Sequence, residues 1–379
     1  MQVRRIELFQ FRNYQALELA FERMLNIFVG ENAQGKTNLL EAVYLLALGR
    51  SYRTTSDGDL INWDAAFARV RGETEREAGG TRIEVLLRRE GPKEIKVGGE
   101  NLRRHSDLLG NLNAVVFSPD DLQLVKGSPA LRRRFLDIEI AQVSPAYRHH
   151  FTRYQRVLRQ RNNLLRAISQ GYARREVLPD WDEQLIADGS RIIAKRAETV
   201  RRLSRWSREM QALISGGREE LELVYRPFFA APSEMPHAEW EDPQAVAERF
   251  RKELEALRRD ELARGTTLAG PQRDDIAFIV AGVDLRYFGS QGQQRTAVLA
   301  TKLSELEFIR DEAGEYPILL LDDVMSELDD TRRERFLGTV SGRINTFITT
   351  TNVRSFPDEI LKEASLYTIR AGTVTPVGA

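Results

Sequence analysis

The segment that most constrains this chain is a glycine-rich octapeptide at residues 30–37. It fits the pattern G-x-x-x-x-G-K-[ST], follows an apolar run at 25–29 and precedes an amphipathic stretch at 36–48, and a chance glycine loop would lack these flanks. Such a loop surrounds phosphate oxygens with backbone N–H groups at a helix N-terminus. The residues predicted to contact ATP are Gly30, Glu31, Asn32, Ala33, Gln34, Gly35, Lys36 and Thr37.

Two side chains of this loop have specific predicted roles. Lys36 neutralises the β- and γ-phosphates, and the hydroxyl of Thr37 binds Mg²⁺. The sequence therefore predicts ATP and Mg²⁺ as cofactors, with Lys36 also counted as a catalytic residue.

A second motif, which is acidic and lies nearer the C-terminal end, fits the same nucleotide chemistry. The apolar run 318–321 leads directly into Asp322 and Asp323. We predict that Asp322 binds Mg²⁺ and that Asp323 is the general base that polarises the attacking water. An acidic pair at a strand end is common, so this prediction depends on the glycine loop. Asp323 is also one methylene shorter than the Glu that is more usual at this position.

A serine motif at 289–295 opens a predicted helix upstream of the acidic strand. Ser290, Gly292 and Gln293 can present a hydroxyl, N–H groups and a positive helix end to a phosphate. Because the chain already contains one phosphate loop, this second cradle indicates the nucleotide of another subunit. An ordinary helix N-cap at Ser290 remains the alternative.

The hydrophobic pattern predicts an α/β fold with two lobes. Apolar positions recur at helical spacing over 147–168 and again over 181–210, which indicates a short antiparallel coiled-coil hairpin. We predict an ATPase lobe formed by 1–118 and 316–379. A helical second lobe at 119–315 carries the hairpin and the serine motif.

The order of the three motifs is similar to that of ABC-type ATPase heads, with 326–329 (SELD) at the position of the D-loop. Further segments narrow this similarity to the branch that maintains chromosomes, and together they resemble the RecF family of bacterial DNA replication and repair proteins. The segments are 8–14 (LFQFRNY), 26–32 (NIFVGEN), 37–42 (TNLLEA), 49–54 (GRSYRT), 117–122 (FSPDDL), 126–129 (KGSP), 132–137 (RRRFLD), 270–275 (GPQRDD) and 322–329 (DDVMSELD).

This resemblance implies an ABC-type head that dimerises with ATP on double-stranded or gapped DNA. It further implies a weak, DNA-stimulated ATPase whose slow hydrolysis releases the DNA, within recombinational repair and replication restart. The implied partners are RecR and RecO, which the protein would help to load RecA on single-stranded gaps.

Some positions depart from the expected pattern. Gln272 stands where a His is expected, and no Gln follows the 113–117 strand as a Q-loop, so none is assigned. The last strand ends in Thr351 and Asn352, where many ABC ATPases have a switch His. Either residue senses the γ-phosphate, or the pair simply caps the strand end.

A DNA-binding surface cannot be inferred from overall charge, because 56 Lys and Arg balance 56 Asp and Glu. Residues 126–208 nevertheless contain 19 basic against 8 acidic residues, which suits sequence-tolerant phosphate contacts. Alternatively, these arginines are solvated helix faces paired with neighbours, or 132–134 joins the two lobes. The candidate DNA contacts are Arg132, Arg133, Arg134, Arg153 and Arg156.

Composition excludes several classes. With no cysteine, the chain has no disulfide scaffold, thiol nucleophile or Cys-ligated metal. No apolar run is long enough to cross a bilayer and no signal peptide is recognised, so we expect a cytoplasmic protein without a membrane partner. Competing functions are a transporter subunit, an SMC-like tether or a P-loop kinase. The basic helical insertion argues against a transporter subunit, and the short hairpin argues against a tether. The serine motif argues against a kinase, which would not need it.

Overall fold

The computed structural model describes residues 1–217, 219–229 and 237–377. The strands are β1 Gln2–Phe11, β2 Tyr14–Ala20, β3 Leu25–Val29, β4 Phe67–Arg76, β5 Gly79–Arg88, β6 Glu94–Val97, β7 Glu100–Asn101, β8 Ala114–Phe117, β9 Leu221–Arg226, β10 Asp275–Val280, β11 Val283–Asp284, β12 Ile318–Asp322, β13 Thr346–Thr350, β14 Ala364–Arg370 and β15 Thr373–Pro376. The helices are α1 Lys36–Leu48, α2 Gln123–Lys126, α3 Pro129–Val143, α4 Pro145–Ser169, α5 Leu178–Ser215, α6 Pro243–Arg264, α7 Leu285–Phe288, α8 Gln291–Ala313, α9 Asp330–Val340 and α10 Asp358–Glu363.

These elements form two compact units. One, called here the P-loop unit, comprises 1–121, 213–216 and 305–379. The other, the helical unit, comprises 122–212 and 217–304. No helix in the described part of the chain combines the length and apolar character of a membrane span.

The central sheet of the P-loop unit brings the two nucleotide motifs to one edge. Its strand order is β15-β14-β3-β13-β12-β8, with only β15 antiparallel to its neighbour. Because β3 and β12 run parallel on either side of β13, their carboxyl ends meet at the same edge. Strands β12 and β13 are buried along their whole length, which explains why β12 reads as a continuous apolar run.

A second sheet of the P-loop unit is antiparallel, with the order β2-β1-β4-β5-β6-β7. Buried positions alternate along β4 and β5, as expected for strands with one face on the core. On the other face charges pair across strands; for example, Arg71 bonds both Glu7 and Glu84. The sheet's alternating sequence pattern therefore reflects one packed and one solvated face.

The helical unit is built around α4 and α5, which pack antiparallel. His150 lies 2.9 Å from Asp188, and Arg161 lies 2.7 Å from Asp182, so residue numbers rise on one helix as they fall on the other. The mixed α/β head predicted from the sequence is thus confirmed, whereas the coiled-coil character of this hairpin remains a prediction. Asp242 caps α6 by accepting from the N–H of Gln244 at 2.9 Å.

Candidate nucleotide-binding site

Two glycines of the phosphate loop occupy positions that no side chain could share. Gly35 has φ 114°, and a Cβ there would lie 2.6 Å from the side-chain nitrogen of Asn13. A Cβ on Gly30 would lie 2.5 Å from the carbonyl oxygen of Ile369. The hydroxyl of the buried Tyr14 donates to the carbonyl of Gly35 at 2.9 Å. The loop is therefore held by its surroundings in the conformation that its glycines permit.

The middle of the loop is fixed from outside as well. Asn13 donates to the carbonyl of Gln34 at 3.0 Å, and the Oε1 of Gln34 accepts from the N–H of Ala371 at 2.7 Å. Ala33 has φ 64°, a left-handed conformation that is uncommon for alanine. Glu31, Asn32 and Ala33 are exposed, which leaves the loop accessible.

Lys36 lies inside the loop at the start of α1. Its ammonium donates to the carbonyl of Gly30 and, at 2.9 Å, to that of Glu31. Burial lowers the pKa of Lys36, while the charges of Asp323 and Asp322 act to raise it. The lysine is thus directed into the phosphate loop and faces both carboxylates of the acidic motif.

Asp322 is the point at which the two motifs meet. Its Oδ1 accepts from the hydroxyl of Thr37 at 2.8 Å and from that of Thr349 at 3.0 Å, and its Oδ2 accepts from Tyr52 at 3.2 Å. A threonine hydroxyl beside a carboxylate is an oxygen pair that suits Mg²⁺, which commonly binds one or two carboxylates together with phosphates and water. The residues present therefore fit the predicted ion.

Asp323 begins the turn after β12 in a left-handed conformation, with φ 55°. Its N–H donates to the hydroxyl of Thr349 at 2.9 Å, which fixes this turn against β13. Burial raises the pKa of Asp323, the charge of Lys36 opposes that shift, and the charge of Asp322 adds to it. A carboxylate with a raised pKa beside a phosphate loop fits the role of a general base.

Sequence reasoning did not single out Tyr52 and Thr349 as site residues. Tyr52 belongs to a quoted family segment, 49–54, and Thr349 is the first of three consecutive threonines. Neither has a spacing signal, because both reach Asp322 only through the packing of α1 and β13 against β12. Two hydroxyl donors in addition to Thr37 orient this carboxylate.

The contacts after β13 favour a capping role for this strand end over a γ-phosphate sensor. Thr351 and Asn352 are both exposed. The Oδ1 of Asn352 accepts from the N–H of Arg354 at 3.0 Å, and the Thr350 hydroxyl donates to the carbonyl of Asn352 at 3.2 Å. Asn352 therefore caps the short turn that follows the strand. A γ-phosphate contact by either residue stays a prediction.

The serine motif lies in the helical unit at the start of α8. Ser290 and Gln293 form a reciprocal cap: the N–H of Ser290 donates to Gln293 Oε1 at 2.9 Å, and the N–H of Gln293 donates to Ser290 Oγ at 3.2 Å. Ser290 and Gly292 are exposed. Ser290 thus serves as an N-cap within the chain while its surface stays accessible, so its contact with a second subunit's nucleotide remains a prediction.

The predicted D-loop is described only in part. Asp329 caps α9 by accepting from the N–H of Arg332 at 2.9 Å. The side chains of Ser326 and Glu327 lie outside the described residues.

One of the candidate DNA contacts, Arg132, is wrong, and a second, Arg133, is only half-exposed. Arg132 is 1% exposed; its guanidinium bonds both carboxylate oxygens of Asp275, at 2.6 and 2.9 Å, and the carbonyl of Gly127. Arg133 is half-buried and donates to the carbonyl of Asp274 at 2.8 Å. Consecutive side chains on a helix point in different directions around its axis, so one or two of three consecutive arginines face the core. Arg132 is therefore a structural residue of the helical unit, whereas a DNA contact by Arg133 stays a prediction.

The other three candidate arginines are exposed. Arg134 lies on α3, and Arg153 and Arg156 lie on α4. The Nε of Arg153 approaches the carboxylate of Asp188 at 3.3 Å, so only part of its charge is available to a ligand. These three side chains remain candidate DNA contacts.

Comparison with known proteins agrees with this geometry. Residues 2–371 match the RecF/RecN/SMC N terminal domain family. The chain is 43% identical over 378 residues to the DNA replication and repair protein RecF of Halalkalibacterium halodurans, covering all of both chains. It is also 43% identical over 374 residues to RecF of Bacillus cytotoxicus, covering 99% of this chain and 98% of that one.

Solved structures give the same result. A structure of the recombination mediator protein RecF-ATP in the RecFOR pathway is 34% identical, with a TM-score of 0.88 over 100% of this chain and 98% of that one. An Smc head bound to the C-winged helix domain of ScpA has a TM-score of 0.56 at 16% identity, over 100% and 97% of the two chains, which shows a shared fold alone. The fold and the contact between the phosphate loop and the acidic motif agree with the full-length sequence similarity. Together they establish that this chain belongs to the RecF family of DNA replication and repair proteins.

Proposed function

We propose that this chain is an ATP-dependent DNA-binding protein of recombinational repair and replication restart. ATP favours a two-fold dimer on double-stranded or gapped DNA, and slow hydrolysis releases the DNA. The observation that carries this proposal is the 2.8 Å bond from the hydroxyl of Thr37 to Asp322, which joins the phosphate loop to the acidic strand in one site. The solved complex of a full-length relative with ATP supports nucleotide binding here.

Each residue of the site has a distinct task in this proposal. The loop N–H groups and Lys36 bind the phosphates at the N-terminus of α1. Thr37 and Asp322 hold the magnesium ion, and Tyr52 and Thr349 keep the Asp322 carboxylate in position. When bound, the ion supplies positive charge to the phosphate oxygens. Asp323 accepts the proton of the attacking water.

The proposed dimer is inferred from the exposed position of Ser290 at the start of α8. Its hydroxyl and the positive end of α8 are exposed and have the chemistry to contact a phosphate. The P-loop of the same chain already supplies a complete cradle, so we assign Ser290, Gly292 and Gln293 to the nucleotide of a second copy. Nucleotide binding then stabilises the dimer by mass action and times its residence on DNA.

Substituting Ser290 with Arg tests the contact between copies. We expect ATP to bind the monomer normally but no longer to drive dimerisation, because a bulky cation replaces the hydroxyl at the interface. Equilibrium binding of a fluorescent ATP analogue and analytical ultracentrifugation measure the two steps. Ser290→Thr, which keeps the hydroxyl, should dimerise normally. Loss of ATP binding by the Ser290→Arg monomer would place Ser290 in the site of its own chain.

Replacing Asp323 with Asn tests the general base. We expect hydrolysis to fall by about a hundredfold or more, the usual range for a general base. ATP-bound dimers should accumulate on DNA, because binding is retained while turnover stops. Phosphate release and DNA residence time are the measurements. Asp330→Asn, at a carboxylate 99% exposed and paired with Arg333, is the matched control and should behave as wild type. Wild-type turnover of Asp323→Asn would remove it from this role.

DNA contact and the pathway partners complete the proposal. The exposed Arg134, Arg153 and Arg156 suit the phosphate backbone, with affinity that falls as salt rises. Membership of the RecF family supports assistance to RecR and RecO in loading RecA on single-stranded gaps. We also propose that hydrolysis is weak and DNA-stimulated, and that the protein acts in the cytoplasm.

A sedimentation series tests the whole proposal. The wild-type chain is measured with and without ATP and gapped DNA at two salt concentrations. We expect a shift to dimers with ATP and a DNA-bound species that weakens at high salt. Monomers under all conditions would reject the proposal. A copurifying membrane subunit would favour a transporter, and ATP-independent bridging of DNA would favour a tether.

A further inference from the structure

The helical unit contains a cavity of about 480 Å³ between one face of α5 and the outer edge of β9. A volume of this size is typical of sites for small molecules. Arg201, Arg205 and Arg208 line it from α5 at intervals of four and three residues, so they share one helix face. The nucleotide site described above uses none of these residues.

The charges around the cavity favour an anion. Its lining carboxylates are Glu222 and Glu241, and Arg201 bonds Glu241 with a nitrogen–oxygen distance of 2.6 Å. Within the described chain, Arg205 and Arg208 have no hydrogen bond or ion pair. Two guanidinium groups on one wall are therefore available to a phosphate, which arginine binds through paired N–H donors.

The remaining wall is apolar. Val200, Leu223 and Trp240 line it with at most 6% of each side chain exposed, and Trp240 packs edge-to-face with Tyr225 at 6.5 Å between ring centroids. Arg205 lies 4.9 Å from the ring of Trp206, which orients its guanidinium. A cavity with cations on one wall and aromatic surface on another matches the two halves of a nucleotide.

The same geometry argues against an extended peptide. β9 is the edge strand of the sheet β11-β10-β9, so its outer edge is where an added strand would pair. The N–H of Leu223 on that edge already donates to the hydroxyl of Ser204 at 2.9 Å. An incoming strand would have to break this bond.

We propose that this cavity binds one nucleoside phosphate, with its phosphate at Arg205 and Arg208 and its base against Trp240. The ligand is either a free nucleotide or an unpaired nucleotide of a DNA strand. The second source rests on the DNA-binding function proposed above, and the first does not.

The test uses the full-length chain carrying Lys36→Met and no added ATP, so that the phosphate loop contributes little and dimerisation is not needed. Binding of a labelled oligothymidylate and of thymidine 5′-monophosphate is measured by fluorescence anisotropy and competition. We expect Arg208→Glu and Arg205→Glu each to weaken binding about tenfold at low salt. Arg191→Glu is the control, because Arg191 is exposed on the same helix outside the cavity, and it should weaken binding less than about twofold.

The outcomes separate the two sources. Displacement of the oligonucleotide by the monophosphate at comparable concentration supports a free nucleotide, and binding of the oligonucleotide alone supports a DNA strand. Wild-type affinity of Arg205→Glu and Arg208→Glu for both probes overturns the proposal.

A second measurement needs no substitution in the cavity. Oligonucleotides containing 5-iododeoxyuridine are photocrosslinked to the chain and the products mapped by mass spectrometry. Crosslinks at Trp240 or Tyr225 support a DNA-strand ligand, and crosslinks that all lie elsewhere overturn it. Because ATP-dependent dimerisation is measured separately, failure here leaves the function proposed for the P-loop site untouched.

Discussion

Replacing Lys36 with Met is expected to abolish ATP binding and, with it, ATP-dependent dimerisation. The ammonium lies inside the phosphate loop, bonded to the carbonyls of Gly30 and Glu31, where no other cation of the loop can replace it. Charge-assisted bonds contribute about 1.5–3 kcal/mol each. Lys36 is predicted to make one such bond to the β-phosphate and one to the γ-phosphate. Loss of these two bonds corresponds to at least roughly a hundredfold weaker ATP binding.

Two measurements test this expectation. Calorimetric titration with ATP gives the affinity, and light scattering with and without ATP gives the mass of the particle. Lys252→Met is the matched control, because Lys252 is exposed on α6 and its loss should change neither quantity. ATP-driven dimerisation of Lys36→Met at wild-type level would contradict the nucleotide-bridged dimer.

Replacing Arg161 with Met is expected to be the most destabilising of these substitutions. Arg161 is fully buried in α4; its guanidinium bonds Asp182 at 2.7 Å, Glu261 at 2.6 Å and the hydroxyl of Thr267 at 2.8 Å. These partners come from α5, α6 and the loop after α6, so one side chain joins the elements of the helical unit. Methionine fills much of the space but leaves the buried Glu261 without its counter-charge, whereas Asp182 keeps an ion pair with Arg258 at 2.8 Å.

The expected loss is about 3–5 kcal/mol in the free energy of unfolding, the range for breaking a buried ion pair. Urea denaturation followed by circular dichroism measures it. Arg159→Met, at an exposed position of the same helix, should change stability by less than about 0.5 kcal/mol. Adding Glu261→Gln to Arg161→Met should recover part of the loss, because it removes one uncompensated charge. Equal stability of Arg161→Met and wild type would show that the network is dispensable.

Motifs with a fixed spacing were predictable from the sequence. The phosphate loop and the acidic strand end depend on residues that are neighbours along the chain, and α1 has the predicted bounds at Lys36–Leu48. Strand pairing was not predictable in this way, because β4 pairs with both β1 and β5 and the contact with β1 joins segments far apart along the chain.

The arginine-rich helices show why composition alone is a poor guide to a binding surface. Arg132 and Arg161 contribute to the same basic excess as Arg134 and Arg156, yet the first two are buried with carboxylate partners. Two of those partners, Asp275 of Arg132 and Glu261 of Arg161, lie a hundred residues or more away along the chain, so no local pattern reveals them. Arg161 lies within the predicted helical stretch 147–168, and its neighbours along the chain do not reveal that it is buried.

The amino-acid order alone determined the family and the identity of the nucleotide motifs, because backbone conformation around phosphate depends on glycines and a lysine at fixed neighbouring positions. Only the tertiary structure decided that Tyr52 and Thr349 hold Asp322, that Arg132 faces the core, and that α5 and β9 enclose a cavity. Each of these depends on contacts between distant segments. Such contacts arise from the packing of whole helices and strands, which residue spacing does not encode.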